Sequence, residues 1–401
     1  MTSRPPRHSA SRPHSDSRSR RKSLPPAEHL VFPELPELRG QSALVLLVSG
    51  TAIASEIVQR LPNWTVTFWT PEHFFFSALT NRLKDHRSAG HLPGTIHAEA
   101  SPESGEYLWT NGNSTVRCSA DPPEESCDAV ILPTASGGSS ELTQELLQAA
   151  WQRLSDNGRL LATTDNARDH WLHQQLQGYN KKITARREAE GCLYRLNKRQ
   201  PLRKLRKFVG DTAFRFGDRL VRLSTRPGVF NHRAVDGGAR ALIKSLVTDL
   251  ESGELLPQTP PDVQPKIAEL GCGSGAMSLA CAAACPQAHV LAIDSHARAV
   301  ECTQQNARQN ELSNVSVLLS SDAEIPDPGT WDLVVANPPY FSDFRISELF
   351  LKAAKKALRA GGAIRIVTKL TDVHRNRMSE LFNEVRVRRF GHYDVIDAIR
   401  R

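Results

Sequence analysis

Short apolar runs that end in polar residues dominate the last third of the chain. Ile267–Leu270, Val290–Asp294, Val315–Asp322 and Trp331–Asn337 are four such runs, and residues with helical periodicity separate them. Strands that alternate with helices in this way predict an α/β fold with a doubly wound, mostly parallel sheet. Ligands of such sheets bind outside the carboxyl ends of the strands, so we expect a binding site where these four runs end.

The first half of the chain shows the same elements in the same order. Apolar spacing predicts strands at 43–48, 64–69, 127–132 and 159–163, and helices at 53–61 and 141–154; residues 91–125 are assigned to loops or short edge strands. Cys127-Asp-Ala-Val-Ile-Leu-Pro133 resembles Trp331-Asp-Leu-Val-Val-Ala-Asn337. The sequence therefore predicts two tandem Rossmann-like domains, with an antiparallel strand pair closing each sheet.

The two predicted copies differ in their motifs. The second contains Gly271-Cys-Gly273-Ser-Gly275, whereas the first contains Ser49-Gly50-Thr-Ala at that point. The first copy is therefore predicted to be degenerate. We predict four parts: a disordered basic tail (1–40), the degenerate copy (41–200), a basic connector with a hairpin (201–226) and the intact copy (227–401).

Positive charge is concentrated outside the predicted domains. The chain of 401 residues has a net charge of +8, yet residues 1–22 alone carry +6 and residues 195–226 carry +9. Basic segments of this kind favour a polyanionic partner that is bound through phosphate contacts. The seven cysteines include no C-x-x-C pair, which indicates a reducing compartment and no metal site. No apolar run approaches the roughly 20 residues of a membrane span, so we expect a cytoplasmic protein with no membrane partner.

The first predicted strand of the intact copy runs directly into a glycine-rich loop. Glu269 precedes the three glycines Gly271, Gly273 and Gly275, which let a ligand lie against bare backbone close to a helix N-terminus. A carboxylate at Glu269 suits a ligand with an ammonium or sulfonium charge. Asp294 is positioned to accept hydrogen bonds from two ribose hydroxyls, and Asp322 from an adenine amine. In series, these acids predict an adenosine-type ligand.

Asn337-Pro338-Pro339-Tyr340 ends the fourth run. The two prolines stiffen the turn and remove backbone donors, which leaves the Asn337 side-chain oxygen and the Pro338 carbonyl as acceptors. Together these oxygens can hold both hydrogens of a planar NH2 group, and Tyr340 can stack on a flat base or amide. The motif therefore predicts chemistry on an amino group.

Residues 267–340 resemble a class I S-adenosylmethionine-dependent methyltransferase of the amino-methylating type. The duplicated pattern resembles the bacterial ribosomal RNA guanine-N2 methyltransferases, namely methyltransferase C of the small subunit and methyltransferase G of the large subunit. That resemblance implies S-adenosyl-L-methionine as cofactor, rRNA processing as the role, and Asn337, Pro338, Pro339 and Tyr340 as catalytic residues. The expected cofactor-binding residues are Asp236, Glu269, Gly271, Cys272, Gly273, Gly275, Asp294, Asp322 and Asn337. The family commonly has Phe then His after the prolines, whereas Tyr340, Phe341 and Ser342 stand here.

Several functions remain open at this stage. The leading hypothesis is methylation of the exocyclic N2 of a guanine in RNA, by a monomer whose two copies form an internal pseudo-dimer. A glutamine side chain in a protein factor also presents an amide NH2, and adenine N6 is a third acceptor. A non-catalytic RNA-binding or assembly protein is the alternative from another class.

Overall fold

The computed structural model describes residues 25–88, 96–252, 263–339 and 344–401. The helices of these residues are α1 (Pro26–His29), α2 (Ile53–Arg60), α3 (His73–Ser88), α4 (Ser140–Arg153), α5 (Trp171–Gln177), α6 (Gly237–Ser252), α7 (Ala276–Ala284), α8 (Ala297–Gln309), α9 (Arg345–Ala357) and α10 (Thr371–Leu381), with a 3-10 helix at Phe32–Glu37. The strands are β1 (Ser42–Leu46), β2 (Thr65–Thr70), β3 (Ile96–Ser101), β4 (Glu106–Asn111), β5 (Ser114–Cys118), β6 (Cys127–Thr134), β7 (Leu154–Thr164), β8 (Thr184–Glu188), β9 (Gly191–Asn197), β10 (Gly210–Phe216), β11 (Arg219–Thr225), β12 (Lys266–Leu270), β13 (His289–Asp294), β14 (Val315–Leu319), β15 (Trp331–Ala336), β16 (Leu358–Thr368), β17 (Asn383–Phe390) and β18 (Tyr393–Ile399).

These strands form two large sheets with one shared order. The first sheet runs β3-β4-β5-β2-β1-β6-β7-β9-β8 and the second runs β14-β13-β12-β15-β16-β18-β17. Neighbours from β5 to β7 and from β14 to β16 are parallel, and the last two pairings in each sheet are antiparallel. The predicted α/β fold with mostly parallel sheets is confirmed. We call α1 to β9 the first unit and β10 to β18 the second unit.

The correspondence extends to individual hydrogen bonds. In both sheets the last parallel pairing, β6 with β7 and β15 with β16, contains a register shift at the same position. The shift lies between Cys127 and Ala129 in the first sheet and between Trp331 and Leu333 in the second. Asp128 accepts a hydrogen bond from the backbone of Ser42, and Asp332 accepts one from the backbone of Lys266. This register aligns Pro133 with Asn337, since Leu132 pairs with Ala162 as Ala336 pairs with Ile366.

The N-terminal segment is a correction to the predicted disordered tail of residues 1–40. Residues 1–24 lie outside the described part, but α1 and the 3-10 helix are folded, with Leu30, Val31 and Leu35 buried. Glu28 is also buried, and its carboxylate accepts a hydrogen bond of 2.6 Å from the Ile53 backbone N–H at the start of α2. Sequence composition missed this segment because its apolar residues are few and interrupted by prolines.

Residues 91–125, predicted as loops or short edge strands, supply β3, β4 and β5 in their described part, 96–125. The hairpin predicted around Gly217-Asp218 is present as β10 and β11. It is more than a connector, because Phe214, Phe216, Val221 and Leu223 pack in the core of the second unit.

A continuous core joins the two units. Cys272, Ala292 and Leu319 of the second unit pack in one cluster with apolar residues of the first, which include Val45 and Phe68. Burial of apolar surface across this junction stabilises the units as one body. No helix of the described residues is long and apolar enough to cross a membrane.

Candidate active site

The loop between β12 and α7 adopts a backbone that suits glycine. Gly271, Gly273 and Gly275 have φ of +74°, +56° and +84°, a left-handed region that side chains disfavour. A Cβ on Gly273 would meet no atom within 4 Å, so the loop presents open backbone at that point. Asp294, at the end of β13, fixes the loop because its Oδ2 accepts a hydrogen bond of 2.8 Å from Gly273 N–H.

Glu269 lies directly beneath this loop. Its side chain is buried, and Oε2 accepts hydrogen bonds from the backbone N–H and the hydroxyl of Ser278 in α7. Burial, with a smaller contribution from the nearby Asp294 carboxylate, raises the pKa of Glu269 to about 8, although the hydrogen bonds from Ser278 act in the opposite direction. A cationic group in the cleft would offset the cost of burying the ionised Glu269 carboxylate. The cleft therefore suits a ligand that carries a sulfonium charge.

Asn337 and Asp236 meet at the other side of the same cleft. The Asn337 Nδ2 donates to Asp236 Oδ2 at 2.8 Å, and the same carboxylate oxygen accepts from Gly238 N–H at 2.7 Å at the start of α6. A Cβ on Gly238 would lie 2.7 Å from Asn337 Oδ1, so this close approach requires glycine. The contact fixes the amide with its nitrogen toward Asp236 and leaves the Oδ1 oxygen as an acceptor.

One narrow cleft of about 40 Å³ connects these groups. It is lined by residues of the glycine loop together with Glu269, Asp236 and Asn337, and by Phe230 and Asn231 before α6. Phe230 is 65% exposed where it lines the cleft. These groups are a buried carboxyl, open glycine backbone and an oriented amide. They fit an adenosyl sulfonium better than a pyrophosphate, because a pyrophosphate would need positive charge in the cleft.

The remaining predicted residues lie around this cleft in different ways. The Cys272 thiol points away into the core, 3.4 Å from the Thr303 hydroxyl, so only its backbone borders the cleft. Asp294 and Asp322 are not among the residues that line the cleft. Asp322 is exposed, lies three positions beyond the end of β14, and accepts from the Glu324 backbone at 3.0 Å. Pro338 and Pro339 follow Asn337, whereas Tyr340 lies outside the described residues.

The first unit adds residues that the sequence did not indicate. The His73 ring nitrogen Nδ1 lies 2.9 Å from the Ser321 hydroxyl and accepts from the Ser321 backbone at 3.2 Å. Ser295 donates to the Glu72 carboxylate at 3.1 Å, beside Asp294. Burial and the Asp294 charge raise the pKa of Glu72 to about 7. Because these contacts join strand ends of different units, only tertiary structure reveals them.

A glycine loop after the first strand and an Asn-Pro-Pro turn after the fourth, at one end of a parallel sheet, define a class I methyltransferase. Residues 220–397 match the family model described as methyltransferase small domain. The predicted resemblance to the S-adenosylmethionine-dependent methyltransferases is thereby confirmed.

Relatives with known names give a finer comparison. The chain is 28% identical over 251 residues to the ribosomal RNA small subunit methyltransferase C of Pseudomonas entomophila, covering 61% of this chain and 70% of that one. It is 29% identical over 192 residues to the ribosomal RNA large subunit methyltransferase G of Pseudomonas syringae, covering 46% and 48%. The solved T. thermophilus 16S rRNA N2 G1207 methyltransferase (RsmC), in complex with AdoMet and guanosine, shares the fold with a TM-score of 0.73 at 20% identity. The likeness covers 95% of this chain and 93% of that one.

Proposed function

We propose that this protein transfers a methyl group from S-adenosylmethionine to the exocyclic N2 amine of a guanine in ribosomal RNA. The observation that carries the proposal is the amide of Asn337, held by Asp236 at one side of the glycine-loop cleft. The similarity to ribosomal RNA methyltransferases C and G supports RNA as the substrate.

The side chains act by alignment. S-adenosylmethionine supplies an electrophilic methyl group on a sulfonium. Asn337 Oδ1 and the Pro338 carbonyl accept the two hydrogens of the guanine amine, which turns the nitrogen lone pair toward that methyl group. The amine that Asn337 and Pro338 hold would take this methyl group, with S-adenosylhomocysteine as the leaving group, and its proton would then pass to water. No strong base is needed, since the proton departs after transfer.

The target guanine must leave its base pair to reach the cleft, because its amine is otherwise engaged. The exposed arginines of the hairpin and the basic segment before it would hold the flanking phosphates. Tyr340 would stack on the base, as the sequence motif predicts. Asp294 and Asp322 would bind the ribose and the adenine of the cofactor.

We further propose that the first unit is a degenerate methyltransferase domain. Pro133 stands where the second unit has Asn337, and Glu28 occupies the start of α2, where the second unit has its glycine loop. We place the boundary between the two domains near residue 200, with residues 25–38 grouped with the first domain and the hairpin grouped with the second, which replaces the predicted starts at 41 and 227. A monomer with this internal pseudo-dimer, acting in the cytoplasm where ribosomes assemble, is the form we propose.

A pair of substitutions tests the proposal. Asn337→Ala should lower methyl transfer to ribosomal RNA at least 100-fold, since the amine loses its acceptor, while the Kd for S-adenosylmethionine changes less than about threefold. Asp294→Ala should instead weaken cofactor binding, because the glycine loop loses its anchor. Radiolabel transfer to RNA and calorimetry measure the two effects.

Identification of the methylated nucleoside by mass spectrometry distinguishes the acceptors. N2-methylguanosine supports the proposal, whereas methylated glutamine or N6-methyladenosine would replace it with one of the alternatives. Undiminished transfer by Asn337→Ala would contradict the role given to the motif.

A further inference from the structure

A second cavity lies in the first unit. It has a volume of about 250 Å³, several times the roughly 30 Å³ that one water occupies in the liquid. It opens at the carboxyl ends of β6 and β7, between the starts of α4 and α5. Ser136, Ser140, Thr164, Asn166 and Trp171 are among its lining residues.

This cavity corresponds to the acceptor side of the second unit. The register aligns Pro133 and Thr164 with Asn337 and Thr368, so Thr134 and Ala135 correspond to Pro338 and Pro339. The cofactor side of the first unit is closed, since a Cβ on Gly50 would lie 2.1 Å from the Glu28 carboxylate. A ligand of the first unit would therefore resemble the acceptor and not the cofactor.

The lining suits a flat, polar ring. Trp171 presents an indole that is 38% exposed at the start of α5, which offers a face for stacking. Thr164 is only 4% exposed and lines the cavity. Its counterpart Thr368 is bonded to His374 at 3.0 Å. Hydroxyl and amide groups beside an aromatic face are the usual means of binding an unpaired base of RNA.

An ion pair links the segments that border the two cavities. The start of α4, which borders the first-unit cavity through Ser140, is tied to the segment before α6 because Arg233 binds Glu141 at 3.0 Å. That segment carries Phe230 and Asn231, which line the cleft of the second unit. A single strand of RNA with its target guanine in the cleft can therefore extend a neighbouring nucleotide toward the first unit.

We propose that the cavity at the ends of β6 and β7 binds an unpaired nucleobase that flanks the target guanine, by stacking on Trp171 and hydrogen bonding to Thr164. This inference rests on the proposed function, since it takes the RNA substrate from it. The first unit then selects the site of methylation by holding a second base.

Two substitutions and a matched control test this site. Trp171→Ala should weaken binding of the ribosomal RNA substrate roughly 5- to 100-fold, the range measured for loss of a base stack. Thr164→Val, which keeps the shape and removes the hydroxyl, should weaken binding about 2- to 10-fold. Trp171→Phe retains an aromatic face and should stay closer to wild type. Binding is measured with S-adenosylhomocysteine present, so that no transfer is needed.

Crosslinking gives an independent readout in the wild-type protein. RNA that carries 4-thiouridine or 6-thioguanosine beside the target should crosslink to peptides containing residues 134–140 or 164–172, and Kd for S-adenosylmethionine should be unchanged in every variant. Wild-type RNA affinity in Thr164→Val and Trp171→Ala, or crosslinks confined to the second unit, would overturn the inference. Absence of RNA methylation by the wild type, with these binding effects intact, would overturn the proposed function alone.

Discussion

At the scale of single residues, the Asn337 amide can be oriented in two ways, and Asp236 selects one. A carboxylate accepts hydrogen bonds and cannot donate them when ionised, so it binds Nδ2 and leaves Oδ1 as the acceptor for an incoming amine. The sequence motif identified Asn337 and assigned Asp236 to the cofactor side. The structure adds that Asp236 contacts the motif itself, through a close approach that Gly238 permits.

Glu269 is expected to give cofactor binding a pH dependence. The pKa of its carboxyl is raised from 4.5 to about 8, so the neutral form favours the folded protein and this stabilisation is lost as pH rises through about 8. A sulfonium in the cleft favours the ionised form and would release a proton on binding. We expect the affinity for S-adenosylmethionine to rise with pH between about 6 and 8, by up to roughly tenfold per unit.

Calorimetry in buffers of different ionisation enthalpy measures this proton release. Glu269→Gln should flatten the pH dependence and weaken binding. Glu72→Gln is the matched control, because the pKa of Glu72 is also raised, to about 7. If Glu72→Gln flattens the pH dependence of binding and Glu269→Gln does not, the proton released on binding comes from Glu72.

At the scale of elements, the hairpin of β10 and β11 has two distinct faces. Alternation along the strands directs Phe214, Phe216, Val221 and Leu223 into the core, while Arg215 and Arg222 lie on the opposite, exposed face. The free edge of β11 is covered by Asn306 of α8 and by Asn310, which directly follows α8; their side chains bond to the backbone of Ser224 and Arg222. The arginine face is therefore held rigidly on the second unit.

Removal of this charge should weaken RNA binding in a salt-dependent way. The double variant Arg215→Gln, Arg222→Gln should bind RNA with a weaker dependence on salt. The slope of log K for RNA binding against log salt should become shallower by about 0.7 for each phosphate of single-stranded RNA that is no longer neutralised. Lys355→Gln is the control, because Lys355 is exposed near the end of α9, which packs on the opposite face of the second sheet from the hairpin. Titrations at several salt concentrations measure the slope; equal slopes for all three proteins would exclude the hairpin from the interface.

At the scale of the whole molecule, the first unit supports the loops that follow β13 and β14. His73 N–H donates to Ser295 O at 2.8 Å, Ala297 N–H to Pro71 O at 2.7 Å, and Leu319 N–H to Pro102 O at 2.9 Å. A second connection is ionic, since the buried Arg298 of α8 pairs with Glu145 of α4. The cofactor side of the second unit is thus completed by the first.

Substitution of His73 tests this dependence. His73→Ala removes two contacts to Ser321, next to Asp322, and should weaken S-adenosylmethionine binding about 3- to 10-fold. His392→Ala, at the exposed turn between β17 and β18, should leave binding unchanged. Calorimetry measures both, and thermal unfolding checks that the units stay joined. Wild-type affinity in His73→Ala would show that the first unit does not support the cofactor loops.

The sequence by itself determined the α/β class, the repeat, the hairpin and the glycine and Asn-Pro-Pro motifs, because periodicity and turn chemistry are local properties of the chain. Tertiary structure decided what depends on contacts between distant segments: the fold of residues 25–38 against the first sheet, the pairing of Asp236 with Asn337, and the support of Ser295 and Ser321 by Glu72 and His73. Polar side chains that are separated by 100 or more positions carry no local pattern, so only the packing of the two sheets brings them together.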